Sequence, residues 1–144
     1  CLELLCDLEP EGAVVDVGCG SGVLAIAAAK LGFAPVLGVD HERESVAATR
    51  DNAVANGVAV EAVRHDLVHD GPAPGAPLVL ANLLRPLLLR VAADGFAGQQ
   101  PDTVIASGLL RHEADEVAAA FVGFGLREQR RLEGGDWAAL LLRR

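Results

Sequence analysis

Residues 14–32 read VVDVGCGSGVLAIAAAKLG, and the fold turns on them. Ala13 to Val17 is an apolar, largely β-branched run bounded by Gly12 and Gly18, which reads as a buried strand. Ser21 to Gly32 reads as a helix, with Ser21 as its cap and Gly32 as its stop. The turn between them is Gly18-Cys19-Gly20-Ser21-Gly22. Strand, glycine-rich turn and helix in succession open an α/β unit. In such sheets a ligand binds beyond the carboxyl ends of the strands, beside the point where the strand order reverses.

The same alternation continues in both directions. Leu2 to Leu8 reads as a short helix, and Ala34 to Asp40 as a second strand. Glu42 to Asn56 is a helix closed by Asn56-Gly57, and Val58 to Val63 is a third strand. Gly71 to Gly75 (GPAPG) reads as a loop, because proline and glycine punctuate it. Pro77 to Asn82 is a fourth strand, followed by a helix over Leu84 to Ala93 with Pro86 in its first turn. Thr103 to Ser107 is a fifth strand and Glu113 to Phe121 a helix. Arg127 to Leu132 and Trp137 to Leu142 form a hairpin across Gly134-Gly135. Continuous apolar strands alternating with helices predict a parallel sheet covered on both faces, with the closing hairpin adding an antiparallel strand.

Composition narrows the function. The 144 residues are 51% hydrophobic and 22% charged, which fits one globular domain. Twelve Lys and Arg against twenty Asp and Glu give a net charge of −8, which speaks against a general phosphate-binding protein and for a basic partner. Three cysteines, Cys1, Cys6 and Cys19, are an odd number without metal-ligand spacing, and predict a reduced, cytoplasmic protein with no bound metal. No apolar run is long enough for a membrane helix. The sequence lacks Met and begins at Cys1 inside a helix, so residues 1–144 are expected to be a catalytic domain excerpted from a longer chain.

The glycine spacing separates classes of ligand. A dinucleotide fingerprint needs G-x-G-x-x-G, which would place its third glycine at Val23; here it falls at Gly22. No Gly-Lys-Ser or Gly-Lys-Thr follows, so the turn is not a P-loop. Asp16 lies in the first strand, Asp40 ends the second, and Asp66 follows the third. A carboxylate at the Asp40 position can accept from ribose hydroxyls. Alternatively it caps the next helix. Asp66 can accept from an adenine amino group or be a solvated loop acid. Together the three acids describe a nucleoside pocket with no phosphate to neutralise.

At VVDVGCGSG, at GVD (residues 38–40) and at DNAVANGV (residues 51–58) the chain resembles the class I S-adenosylmethionine-dependent methyltransferases. Within them it is most similar to the ribosomal protein L11 methyltransferase (PrmA) family. That likeness also rests on CLELL (residues 1–5), LVLANLL (residues 78–84), ASGLL (residues 106–110) and Asp136-Trp137, and spans essentially the whole chain.

The resemblance implies a Rossmann-like three-layer sandwich around a seven-stranded, mostly parallel sheet of order 3-2-1-4-5-7-6, with the last strand antiparallel. It implies S-adenosyl-L-methionine as cofactor and S-adenosyl-L-homocysteine as product. Asp16 and the backbone of Gly18, Cys19, Gly20 and Gly22 would hold the methionine part. Asp40 with His41 would take the ribose, and Asp66 with its neighbours the adenine. Asn82 would stand beside the transferable methyl, where a protein amine enters; being neutral, it would orient the amine while solvent takes the proton. The implied partner is a protein substrate, a ribosomal protein. The family also carries an N-terminal recognition domain and a Thr-rich segment ahead of CLELL, neither of which is in this sequence.

Other residues have blander readings. The Cys19 thiol reads as a small packing group. His65-Asp66 and His69-Asp70 read as solvated loop residues rather than metal ligands. Trp137 reads as packed at the start of the last strand. Arg127, Arg130, Arg131, Arg143 and Arg144 read as solvated strand faces, with an RNA contact set against the charge of −8. The rival functions are the same fold acting on a small molecule or a nucleic-acid base, a cofactor-binding module without catalysis, and a NAD-binding protein. The base-directed version lacks an aromatic in Asn82-Leu83-Leu84-Arg85 to stack a flipped base.

Overall fold

A computed structural model describes all 144 residues. Helix α1 (Leu2–Cys6) leads into β1 (Val14–Val17), α2 (Val23–Leu31), β2 (Val36–Asp40), α3 (Arg43–Ala55) and β3 (Glu61–Arg64). Then come β4 (Ala73–Gly75), β5 (Leu78–Asn82), α4 (Arg85–Asp94), β6 (Phe96–Gly98), β7 (Thr103–Leu110) and α5 (Ala114–Ala120). The hairpin of β8 (Arg127–Gly134) and β9 (Trp137–Arg143) closes the chain. The main sheet has seven strands in the order β3-β2-β1-β5-β7-β9-β8. Counting only those seven, this is the expected 3-2-1-4-5-7-6. All neighbours are parallel until β9, which runs antiparallel to both β7 and β8.

The period of two along each strand divides the core between two faces. Val14, Leu78, Leu80, Ile105 and Leu141 pack with Leu4, Leu5, Leu24 and Ala28 under α1 and α2. Val15, Val17, Val79, Val104 and Leu140 pack with Leu88, Val91, Val117 and Phe121 under α4 and α5. Asp16 has the parity of Val14, so it points at α2. The chain leaves β1 toward β2 on one side and later enters β5 on the other. The switch point therefore lies between the ends of β1 and β5.

Several local expectations are corrected. GPAPG is not simply a loop: Ala73 to Gly75 forms β4, paired in parallel with β6. A two-stranded ribbon leaves one side of Pro74 unpaired, so its missing N–H is tolerated. The third strand starts at Glu61, not Val58, because the Val58 N–H bonds back to the Ala53 carbonyl at the exit of α3. The fifth strand of the sheet, β7, runs on past Ser107 to Leu110, and its register with β9 shifts between Ala106 and Leu109. Gly134 belongs to β8, so the hairpin turn is Gly135-Asp136. Ser21 does not cap α2. Gly22 holds the N-cap position with left-handed dihedrals and no side-chain cap. The first-turn N–H of Ala25 instead donates to Asp16 Oδ2 across 3.1 Å. Pro86 lies in the first turn of α4, and Gly32 ends α2, as expected. No helix is long and apolar enough to cross a membrane.

Candidate functional site

The glycine turn is pinned between β1 and β2. The N–H groups of Gly18 and Cys19 both donate to the Val39 carbonyl, at 2.8 and 2.9 Å. Gly18 has φ +76, and a Cβ there would run into the Leu83 side chain. Gly22 has φ +90, and a Cβ would crowd Thr49. Thr49 of α3 donates its hydroxyl to the Gly20 carbonyl at 3.0 Å, and Asn52 donates from Nδ2 to the Ser21 carbonyl at 2.8 Å. Sequence therefore supplies a turn that hugs its neighbours and is braced from α3.

Asp16 is 1% exposed. Its Oδ2 accepts from Ala25, while its Oδ1 has no partner although fully buried. Burial pushes this carboxyl up to about 7; the Ala25 N–H pulls it down, and the nearby Asp40 charge raises it further. Asp40 sits at the tip of β2. Its Oδ2 accepts from the Gly20 N–H and its Oδ1 from the Glu42 N–H, each at 3.0 Å. One carboxylate thus ties the glycine turn to the entrance of α3. The cap of α3 is Glu42, not Asp40. His41 is exposed, with Nδ1 3.4 Å from Asp40 Oδ1.

Asp66 follows β3 in a loop that bonds to itself. Its Oδ1 accepts from the Val68 N–H and its Oδ2 pairs with His69 Nδ1, both at 2.8 Å. The His69 partner, followed by the Val68 N–H, holds the Asp66 carboxyl down at about 2. His65 bonds the Gly71 carbonyl at 3.2 Å, and Asp70 Oδ2 accepts from the Asp66 N–H at 2.8 Å. The side chains of the two His-Asp pairs thus bond within this loop. Gly18, Asp40, His41, Asp66 and Leu83 together line a cavity of about 280 Å³.

Asn82 ends β5 directly opposite Ser107 of β7. The Ser107 hydroxyl donates to Asn82 Oδ1 at 3.0 Å, and the Leu83 N–H donates to the Ser107 carbonyl at 3.0 Å. The register shift in β7 falls here, at Gly108 with φ +80. A Cβ on Gly108 would stand 2.8 Å from the Leu83 carbonyl oxygen and 3.0 Å from Asn82 Oδ1. Two acceptors therefore face a residue with no side chain to cover them, and no backbone N–H reaches the Leu83 carbonyl.

These groups lie on the floor of a groove of about 930 Å³. Glu3 of α1, Val23 of α2, Glu133 of β8 and Trp137 of β9 form its walls. Trp137 is 55% exposed at this wall, which corrects the expectation of a packed residue. It is the first residue of β9, paired with Leu110 of β7 and with Gly134 of β8, which has no side chain to cover it. Leu83 lines both the groove and the smaller cavity, and so stands between them.

The structure thus brings Asp16, Gly18, Asp40, His41, Asp66 and Asn82 around one end of the sheet. Cys19 lies in the same turn, but its side chain is buried against Gly38 and takes the Thr49 hydroxyl at 3.4 Å. Burial pushes its thiol up. Of the five arginines of the basic hairpin three pair with carboxylates, and Arg143 donates to the Thr103 hydroxyl at 3.2 Å. Arg130 pairs with Asp7 and Glu3, Arg131 with Asp115 and Glu128, and Arg144 with Asp102. Sequence reasoning missed Leu83, Ser107 and Gly108. The signal was the Ser-Gly step inside an apolar strand, since a glycine there marks a bulge or a close approach.

Chemically, an orphaned buried carboxylate oxygen calls for a cationic or N–H donor. Bare glycine backbone admits a ligand at contact distance. The acids of β2 and of the loop after β3 suit hydroxyl and amino donors, and the β5 end suits an amine. A sulfonium amino acid joined to adenosine presents these groups in this order, so the residues present fit S-adenosylmethionine.

A model of the family described as ribosomal protein L11 methyltransferase (PrmA) matches residues 1–144. The ribosomal protein L11 methyltransferase of Heliobacterium modesticaldum is 38% identical over 148 residues, covering 100% of this chain and 46% of that one. That of Geobacter metallireducens is 42% identical over 143 residues, covering 98% and 47%. The chain thus spans about half the length of the curated relatives it matches. Among solved structures, the ribosomal protein L11 methylase of Lactobacillus delbrueckii subsp. bulgaricus superposes with a TM-score of 0.83 at 30% identity, covering 99% of this chain and 76% of that one.

Proposed function

Because the chain belongs to the ribosomal protein L11 methyltransferase (PrmA) family, we propose that it transfers methyl groups from S-adenosylmethionine to amines of ribosomal protein L11, on lysine side chains or the N-terminus, in the cytoplasm. The observation that carries this reading is the pair of uncovered acceptors, Asn82 Oδ1 and the Leu83 carbonyl, facing Gly108 at the end of β5. They stand across the switch point from the turn and acids that suit the cofactor.

When bound, the cofactor supplies an electrophilic methyl on a positively charged sulfur. The task of this chain is alignment. Direct displacement requires nucleophile, carbon and leaving group in line, with the reacting atoms near 3–3.5 Å, and such alignment carries a large part of the rate. Gly20 faces open space and presents bare backbone to the cofactor, Gly18 and Gly22 let the turn close on Leu83 and Thr49, Asp16 offers its unpartnered Oδ1 to an ammonium, and Asp40 and Asp66 offer acceptors to ribose and adenine. His41, exposed beside Asp40, would close over the ribose edge.

A lysine amine has a reference pKa near 10.4 and arrives protonated. Entry beside a positive centre, with loss of water, favours its neutral form. Asn82 is neutral and has no basic lone pair, so it orients: Oδ1 already accepts from Ser107 and keeps a second lone pair for a substrate N–H. The Leu83 carbonyl takes another, which points the nitrogen lone pair away from both oxygens. Solvent in the open groove removes the proton. The apolar wall at Val23, Leu84 and Trp137 receives the substrate backbone around the amine.

The test is transfer of labelled methyl from S-adenosylmethionine to purified L11, with mass spectrometry of the product. Label on L11 amines, lost in Asn82→Ala, is the expected result. Tight cofactor binding with no label on L11 would overturn the assignment of substrate.

A further inference from the structure

A groove rich in arginine lies on the side of α3 away from the glycine turn. Arg43, Arg50 and Arg64 line one groove of about 370 Å³ together with Val46 and Ala47, and no carboxylate lines it. The sequence makes this grouping unusual. Acids outnumber bases by twenty to twelve, and the arginines at 85, 90, 111, 130, 131 and 144 each have a carboxylate within 4.0 Å. Arg43, Arg50 and Arg64 have none; Arg127 and Arg143 on the closing hairpin also lack one, but they do not line this groove.

Their arrangement follows from the fold. Arg43, Ala47 and Arg50 fall at i, i+4 and i+7 on α3, so they share one stripe of the helix. Arg64 ends β3, the edge strand beside α3. Two of the three guanidiniums are anchored from behind. Arg50 donates from Nε and Nη2 to the Ala62 carbonyl on the open edge of β3, and Arg64 donates from Nε to the His41 carbonyl at 3.0 Å. Arg50 Nη1, both Nη groups of Arg64 and all of Arg43 have no protein acceptor. Anchored guanidinium forks lose little freedom on binding and match the oxygens of a phosphate in paired hydrogen bonds.

We propose that this groove binds a phosphate group carried on a compact ligand, either inorganic phosphate or a small phosphorylated molecule. Three convergent guanidiniums match one phosphate in charge and in donors. A long polyanion is disfavoured, because a surface with a net charge of −8 repels it beyond the groove. The site is separate from the cofactor cavity, which His41 and Asp40 line from the other side of the β2–α3 junction.

The test follows the arginine Nε–Hε resonances of the protein by NMR while inorganic phosphate is added at constant ionic strength, with chloride as control. Saturable shifts confined to Arg43, Arg50 and Arg64 are expected. Arg43, which makes no bond within the protein, gives the clean variant: Arg43→Gln should weaken phosphate binding about tenfold without changing the melting temperature. Arg127→Gln, on β8 at the far edge of the sheet, should leave binding unchanged. A glycerol monophosphate arm separates the two sources: saturable binding at least as tight as phosphate identifies a phosphorylated molecule, and weaker binding identifies the free ion. Shifts spread equally over Arg127 and Arg144, shifts no larger than those of chloride, or binding of an RNA oligomer alone would each overturn the proposal.

Discussion

Leu83 rests on Gly18. Its side chain fills the space that a Cβ on Gly18 would need, and it is shared by the walls of the 280 Å³ cavity and the 930 Å³ groove. The residue after Asn82 therefore closes on the turn after β1, across the switch point of the sheet. The contact of these two residues closes the direct path between the two spaces at this point.

Gly18→Ala tests that contact. A left-handed backbone at φ +76 costs an alanine about 1–2 kcal/mol, and forcing a methyl against Leu83 about 1–3 kcal/mol more. Urea unfolding should show a loss in this combined range, and calorimetry a loss of S-adenosylmethionine binding. Adding Leu83→Ala should recover the steric part of the stability and leave the backbone part. If adding Leu83→Ala recovers none of the loss in Gly18→Ala, the two residues do not touch as described.

Asp16 should make stability depend on pH in an unusual direction. Its folded carboxyl titrates at about 7, against an ordinary value of 3.8. Between those values the folded protein holds a proton that the unfolded chain has released. Stability from this group is therefore full below pH 4, falls as pH rises through 4 to 7, and is lowest above 7. Asp16→Asn removes the titration and keeps an acceptor for the Ala25 N–H. Its stability at pH 8 should exceed the wild type, because the variant buries no charge there. S-adenosylmethionine binding should weaken by tenfold or more. A wild-type curve that is flat from pH 4 to 8, measured against the variant, would refute this account of Asp16.

Asp40 carries two burdens, and its variants should separate them. Asp40→Ala removes the acceptors of the Gly20 and Glu42 N–H groups. Hydrogen bonds to a charged acceptor contribute about 1.5–3 kcal/mol each, so both the turn and the cofactor affinity should suffer. Asp40→Asn keeps one acceptor for Gly20 or Glu42 and should recover most of the thermal stability. Its S-adenosylmethionine affinity should remain at least tenfold weak. Unchanged affinity in both variants would remove Asp40 from the ribose position.

The parts of this molecule that were legible in the sequence are those set by short-range pattern. The apolar runs at Val14, Leu78 and Thr103, the glycines at 18, 20 and 22 and the acid ending β2 all announce themselves within a few residues. What escaped depends on neighbours distant in the chain. Ser21 looks like a cap, but Asp16, from the preceding strand, is placed to bond the first turn of α2. Pro74 argues against a strand until Phe96–Gly98 arrives to pair with it from one side. Trp137 looks like a core residue, but its place at the first position of β9, opposite Gly134, leaves it at the rim. The role of Ser107 exists only because β5 and β7 are neighbours, which no local window contains.

The β5 end gives the sharpest separation of chemistry from binding. Ser107 touches Asn82 Oδ1 from the protein side, and Gly108 leaves that oxygen and the Leu83 carbonyl uncovered. Asn82→Ala removes one acceptor outright. Ser107→Ala leaves the acceptor present but free to rotate, so Ser107 is a positioning residue. Gly108→Ala keeps both oxygens and covers them, at a backbone cost that comes from its φ of +80. Since misplacement of a reacting group by about 1 Å can cost on the order of 100-fold in rate, turnover on L11 should fall about 100-fold in Asn82→Ala and Gly108→Ala. Ser107→Ala should fall about tenfold, with Ser107→Thr, which keeps the hydroxyl, recovering most of it. S-adenosylhomocysteine affinity should stay within about threefold of the wild type in Ser107→Ala, because the bond it breaks faces the amine side of the site. An equal loss of cofactor affinity and turnover in that variant would place Ser107 in the cofactor cradle, and the two-acceptor account of amine orientation would fall with it.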